Sequence, residues 1–408
     1  MRRLPILIVA LLAAGCGASA PPQDSGLNAH ELLYVRDGEG TAFDTVRGID
    51  VRTGRDATRR PLGVTATVDG RATTFSVHKQ GPDTRIEARD ATGALRGQRT
   101  LRGWWELPEP AQDGTIEGVS ANGRTLVLTR PEGARFAVLD TSLTNAPLAV
   151  SLGRRFSYDA LSPDGTTLYL IEHLADPRHP GRYQVRAFDL GTRRMEPGFI
   201  ADKRELDEPM AGYPLARASS PDGAWVYTLY QGPEHAFVHA LAAVDRYALC
   251  IDLPGGAPRK DAAAYWGLAL AGDTVYAANA AVGVAAALNG PAGEVVRHAS
   301  LPPERGDARG ARLRAPRIAL APDGRTLYAI GPQGLTAVDA PSLRARDRLV
   351  TSRSLAGIAL SPDARRVYAV DAATRAVLAL DARTGRRLGS VDGAAGAVSL
   401  LGVARSAR

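Results

Sequence analysis

The chain has 408 residues, an apolar content of 45% and a formal net charge of +7, from 50 basic and 43 acidic side chains. That apolar fraction is ample for a sizeable core, while length alone is a poor counter of domains when a chain repeats. Three lysines (Lys79, Lys203 and Lys260) stand against 47 arginines. The bases are interspersed with acids instead of clustering on one element, so the charge argues against a nucleic-acid partner.

The first element is a leader. Arg2 and Arg3 precede an apolar stretch over residues 4–14, which is too short to span a bilayer as a stable helix. It ends Leu12-Ala13-Ala14-Gly15-Cys16, which resembles a bacterial lipoprotein signal, with Ala13 where that family more often has Leu. The resemblance implies removal of residues 1–15, lipidation of Cys16, and an extracytoplasmic protein held on a cell membrane or outer membrane. Two or more acyl chains anchor stably where one would be marginal. An ordinary secretory signal with an incidental Cys is the alternative. Residues 16–30, rich in Ala, Pro, Ser, Gln and Gly, read as the lipidated Cys and a flexible tether, and residues 31–408 as the folded domain. The second cysteine, Cys250, lies in the apolar run 247–251 and reads as a small buried hydrophobe.

From residue 32 the chain repeats. Residues 32–35 and 46–51 read as two strands, with a weak third near 60–62. Later units share one plan: a short apolar run, a tight turn, a second apolar run, a loop, and a third run ending in Asp. The turns are Ser120-Ala121-Asn122-Gly123, Ser162-Pro163-Asp164-Gly165, Ser220-Pro221-Asp222-Gly223, Ala321-Pro322-Asp323-Gly324 and Ser361-Pro362-Asp363-Ala364. Pro pre-sets φ at the first central position and Gly tolerates the positive φ that closes the turn. Ala364 stands where the others have Gly, so that turn should be strained or of another type.

Pro322 and Pro362 are 40 residues apart. A period of about 40 to 50 residues with four short strands per unit is how a β-propeller blade reads. The last two units resemble the YVTN-type and TolB-type propeller repeats of bacterial exported proteins, over roughly residues 60 to 395. The N-terminus supplies three strands without an inner one, and residues 397–404 supply an inner strand with nothing after it. Together they complete one blade, as propeller rings close. The expected fold is therefore all-β: a single propeller of four-stranded blades, eight preferred and seven the alternative.

In such blades the turns after the first and third strands share one face, and the other connections share the opposite face. The long and chemically unusual connections, at 103–109, 172–180, 202–208, 231–235 and 302–307, all fall on that second face, where binding residues tend to gather. Candidate binding residues are Trp104, Trp105, His173, Arg178, His179, Glu234 and His235. The pairs His173/His179 and His235/His239 could supply metal ligands, but no Cys partner or His-Glu-x-x-His pattern accompanies them. They read as capping or solvent-facing side chains, and the acidic loop 202–208 as solvated. No catalytic set, cofactor or metal site is assigned. The expected function is a lipid-anchored module that binds a protein or cell-envelope ligand. The alternative is an enzyme resembling the propeller lactonases, with a metal or charged cluster at the central channel. Inner-strand runs such as Ile318-Ala319-Leu320 do not advertise such a cluster.

Overall fold

Three of the repeats turn where they do because a serine and an acid close the turn on themselves. The Ser162 hydroxyl donates to Asp164 Oδ1 at 2.6 Å and accepts the Thr167 amide at 2.9 Å, while Gly165 N–H bonds Ser162 C=O at 2.9 Å. Ser220 repeats the pattern with Asp222 and Trp225, and Ser361 repeats it with Asp363 and Arg366. The acids are therefore structural caps, satisfying backbone donors that a tight turn leaves unpaired. Hydrogen bonds from Ser162 and Ser220 hold the Asp164 and Asp222 carboxyls below their ordinary range.

The computed structural model describes residues 27, 30–38, 44–153, 155–174, 181–202, 204, 209–256, 260–306, 310, 314–350, 352–391, 393–394 and 399–406. These turns link strands into eight antiparallel sheets, the blades of a propeller, so the count is eight and not seven. Blade one takes its inner strand, Ser399–Arg405, from the C-terminus, followed outward by Glu31–Asp37, Thr45–Asp50 and Asp56–Pro61. Blade two comprises Gly63–Val68, Arg71–Gln80, Asp83–Asp90 and Leu95–Leu101; blade five comprises Tyr213–Ser219, Trp225–Gln231, Ala236–Ala242 and Tyr247–Asp252. Blades six, seven and eight begin at Gly267, Ile318 and Leu355. The inner strand of blade one pairs Leu33 with Val403 and Arg36 with Ser399.

Blades pack face to face, so their middle strands are buried on both sides and carry near-continuous apolar runs. Between blades eight and one, Leu33, Ile49, Val370 and Leu400 are buried together with Tyr368. Each such side chain contributes about 1.5–3 kcal/mol on burial. Glu31 fastens the same joint: its Oε1 accepts Arg366 Nη2 at 2.8 Å and its Oε2 accepts the Tyr368 hydroxyl.

Two blades depart from the four-stranded expectation. Blade three has Thr125–Thr129, Arg135–Asp140 and Leu148–Ser151, with its inner edge met by two isolated bridges, Glu106↔Thr129 and Val119↔Leu126, in place of a full strand. The residues that would form its inner strand are drawn to the axis, as described below. Blade four, after Phe156–Leu161, Thr167–His173 and Arg182–Asp189, has an outer strand of two residues, Arg194–Met195. The chain then leaves the sheet at Pro197–Gly198, touches it again where Ile200 bridges Val185, and returns as Met210–Ala211 to pair with Arg182 and Tyr183.

The exceptional Ala364 forms the same turn as its glycine counterparts, at φ 55°, where Gly165, Gly223 and Gly324 have 71°, 70° and 67°. An L-residue in this left-handed region is strained by its Cβ. Ala364→Gly should therefore stabilise the protein by about 0.5–1 kcal/mol, the relief of strain exceeding the added chain entropy of glycine. The measurement is the midpoint of chemical denaturation, which should rise without a change of slope.

Candidate functional site

The connection from blade two to blade three is drawn across the axis. In it, Glu109 accepts Arg36 of blade one at 2.7 Å and Arg314, ahead of blade seven, at 2.8 Å. Asp113 Oδ2 accepts the Arg217 amide of blade five at 2.9 Å, and Glu117 Oε1 accepts Arg217 Nε at 2.8 Å. Blades one and five face each other across an eight-blade ring, so a segment touching both must cross the centre. Arg217, on the inner strand of blade five, also bonds Asp159 Oδ1 of blade four at 3.1 Å and Thr228 Oγ1 at 2.6 Å. Burial opposes the charge on Arg217, but Glu117 and Asp159 outweigh it and hold the guanidinium above its ordinary value. Burial pushes the Asp113 carboxyl up, against hydrogen bonds from the backbone of Arg217 and Thr115.

A charged cluster at the channel is thus present, contrary to the expectation from inner-strand composition. Asp159 and Arg217 are inner-strand residues after all, and Glu109, Asp113 and Glu117 come from a connection whose path no local pattern reveals. Among the described residues, no three His, Cys, Asp or Glu side chains converge as a metal-binding group.

Two adjoining cavities open on the loop-rich face over blades three to five, and another, about 590 Å³, opens on that face over blades seven and eight. The first, about 380 Å³, lies at the channel mouth between blades three, four and five; Glu106, Tyr158, Asp159, His173, Tyr183 and Tyr230 are in its wall. The rings of Tyr183 and Tyr230 stack at 5.0 Å. His173 Nε2 lies 2.9 Å from Ser157 Oγ, and burial lowers its pKa, so the imidazole is neutral near neutral pH. Burial raises the Glu106 carboxyl. The second cavity, about 480 Å³, lies further out between blades four and five. It exists because the outer strand of blade four is interrupted, leaving Phe199, Met210, Phe237 and Cys250 to line a hollow where a sheet edge would otherwise run. Tyr183 belongs to both walls.

The candidate residues divide between these places. His173 is in the mouth cavity. Trp105, partly buried against the core of blades two and three, lies under Arg130 of the mouth at 4.8 Å and donates its indole N–H to Arg102 C=O at 2.9 Å. Trp104 is 50% exposed and stands apart, with Lys79 Nζ 4.6 Å from its ring. Glu234 and His235 rim the outer cavity, His235 Nε2 lying 2.8 Å from Asp252 Oδ1. Cys16, Arg178 and His179 lie outside the described residues.

Two readings of single residues are corrected. His239 is not solvent-facing: it is 1% exposed, on the third strand of blade five, opposite Thr228 and Cys250. Cys250 is half-buried, not enclosed, and its Sγ lies 3.9 Å from His239 Nδ1. In register, Arg217, Thr228, His239 and Cys250 form a polar row from axis to rim. The alternation of strand residues could have shown that these four share a face. Their polarity is diluted by apolar neighbours along each strand, which hides it.

With this geometry in place, comparisons place the chain among propellers. The family described as "Outer membrane protein assembly factor BamB" matches residues 257–390, which span blades six to eight. No curated protein matches the chain. Apo AztD from Citrobacter koseri superposes with a TM-score of 0.54 at 12% identity, covering 92% of this chain and 99% of that one. A second structure of Citrobacter koseri AztD gives 0.56 at 12% identity, covering 92% and 97%. The dihydro-heme d1 dehydrogenase NirN in complex with DHE gives 0.50 at 12% identity, covering 97% and 78%. At such identity these likenesses show the fold alone.

Burial lowers the pKa of His239 in the folded chain, with Asp159 opposing that shift. An unfolded imidazole titrates near about 6.5, so below that pH the unfolded chain binds the extra proton and folding stability falls, by at most about 1.4 kcal/mol per pH unit. Thermal melts between pH 7 and 5 should show this loss, and His239→Gln should shrink it. It should not abolish it, because His78 and His173 shift in the same direction.

Proposed function

We propose that the chain is a lipid-anchored, extracytoplasmic binding propeller that holds a protein or cell-envelope ligand on its loop-rich face. The observation that carries this reading is the pair of adjacent cavities over blades three to five, joined at Tyr183, on one face of the ring. The opposite face carries the self-satisfied Ser-Pro-Asp turns. Ligand sites are concave, with a largely apolar or aromatic lining and a few placed polar groups, and both cavities fit that description. The anchored, exported state rests on the leader ending at Cys16. No helix of the described residues is long and apolar enough to cross a membrane. The family matching blades six to eight is named for an outer-membrane assembly factor, which agrees with a place in the envelope.

The hydrolase alternative has the charged cluster that it requires, but those groups are mutually engaged. Glu109 is taken by Arg36 and Arg314, and Glu117 by Arg217. Breaking such a buried pair costs about 3–5 kcal/mol, so the cluster serves as a clamp that seats the plug.

Photo-cross-linking residues placed at Trp104 and Glu234 should give adducts in cells, while one at Arg325, on the opposite face, should not. Equal labelling at all three positions, or labelling at Arg325 alone, would reject the face. In cells fed a labelled fatty acid, the protein should take up label and Cys16→Ser should not; an unlabelled wild-type protein, or equal labelling of Cys16→Ser, would reject the lipid anchor at Cys16.

A further inference from the structure

The mouth cavity contains polar atoms that the protein does not satisfy. Asp159 is 2% exposed; Arg217 holds its Oδ1, but its buried Oδ2 has no hydrogen-bond partner. Tyr183 is also 2% exposed, and its hydroxyl has none. Leaving such groups unmet costs about 1–3 kcal/mol each. Both line the cavity, and Glu106 adds a half-buried carboxyl to the same wall.

The charges of that wall are unequally committed. Arg314 is spent on Glu109 at 2.8 Å, and Arg130 lies over the Trp105 ring with Nη1 3.4 Å from Glu132, although its buried Nε has no acceptor. Behind the wall, the one positive charge of Arg217 faces two carboxylates, Glu117 and Asp159. Much of the remaining lining is apolar, with Leu107, Pro108, Ile171 and the stacked rings of Tyr183 and Tyr230 among it. An anion entering here would meet carboxylates whose neutralising partners are already engaged, whereas a cationic donor would meet open acceptors.

We propose that this cavity binds an alkylammonium group, its N–H donors taken by Asp159 Oδ2 and the Tyr183 hydroxyl. Glu106, nearer the opening, attracts the incoming cation. The cavity volume of about 380 Å³ admits the ammonium with a short alkyl chain. The same chemistry is offered by a free diamine and by a lysine side chain of a peptide. This inference names the ligand class of the binding face proposed above and rests on that reading for the choice of face.

The test is a titration of the full-length protein in detergent, followed by thermal shift and calorimetry. The probes are cadaverine and Nα-acetyl-lysine methylamide, with 1,5-pentanediol and glutarate as neutral and anionic counterparts. Saturable stabilisation by at least one amine, and by neither counterpart, is expected. Binding of cadaverine alone assigns a free amine; comparable binding of the lysine amide assigns a peptide side chain. Tyr183→Phe should leave the unliganded melt unchanged or raised, because it removes an unsatisfied hydroxyl, and should weaken amine affinity roughly tenfold, as for a hydrogen bond to a charged group. Glu106→Gln should also weaken it. No shift with either amine, an equal shift with glutarate or the diol, or unchanged affinity in Tyr183→Phe would overturn the proposal. If the amines fail while loop-face cross-links persist, the ligand class falls and the binding face stands.

Discussion

Everything in this molecule depends on one antiparallel pairing between its two ends. Ser399–Arg405 supplies the inner strand that Glu31–Asp37 lacks, and so removes the free edge that a linear row of blades would leave. Without it, blade one would present unpaired backbone groups to the axis, and the apolar face of blade eight, with Tyr368 and Val370, would lose its cover. Glu31 reinforces the seam because it joins a residue of the first strand to Arg366 and Tyr368 of the last blade. That contact spans more than three hundred residues of chain, so its closure is among the most non-local steps of folding.

A closed ring imposes a geometry on whatever fills its centre. The connection between blades two and three reaches Arg36 on one side and Arg217 on the other, and thereby consumes the residues that would have formed an inner strand for blade three. The mouth cavity is a consequence, since blade three presents two isolated bridges where other blades present a continuous strand. The outer cavity has a parallel origin in the interrupted edge of blade four. Both hollows therefore arise where the repeat is broken.

The electrostatics follow from the same packing. Arg217 can be fully buried only because Glu117 and Asp159 meet it, and those carboxylates tolerate burial only because Arg217 meets them. Such mutual dependence makes the centre rigid and leaves few groups available to a ligand. Asp159 Oδ2 and the Tyr183 hydroxyl are notable because they fall outside this mutual satisfaction while sharing its depth.

The sequence by itself determined the propeller, the blade boundaries, the face bearing the long loops and the strand exchange that closes the ring. Those features are written locally: Ser162 and Asp164 satisfy a turn within six residues, and an apolar run such as 327–330 announces a strand buried on both sides. Even the substitution at Ala364 was legible, because its neighbours in the repeat show what the backbone requires there. Only the tertiary structure decided what stands at the axis and where the cavities open. Glu109 and Arg36 are 73 residues apart, Asp113 and Arg217 are 104 apart, and no periodicity relates them. Nor could the pattern show that Tyr183 and Asp159 face one hollow, since each lies in a strand that reads as ordinary core. The physical reason is that turns and strands are set by neighbours in the chain, whereas a site at the centre of a ring is assembled from blades that meet only once the ring has closed.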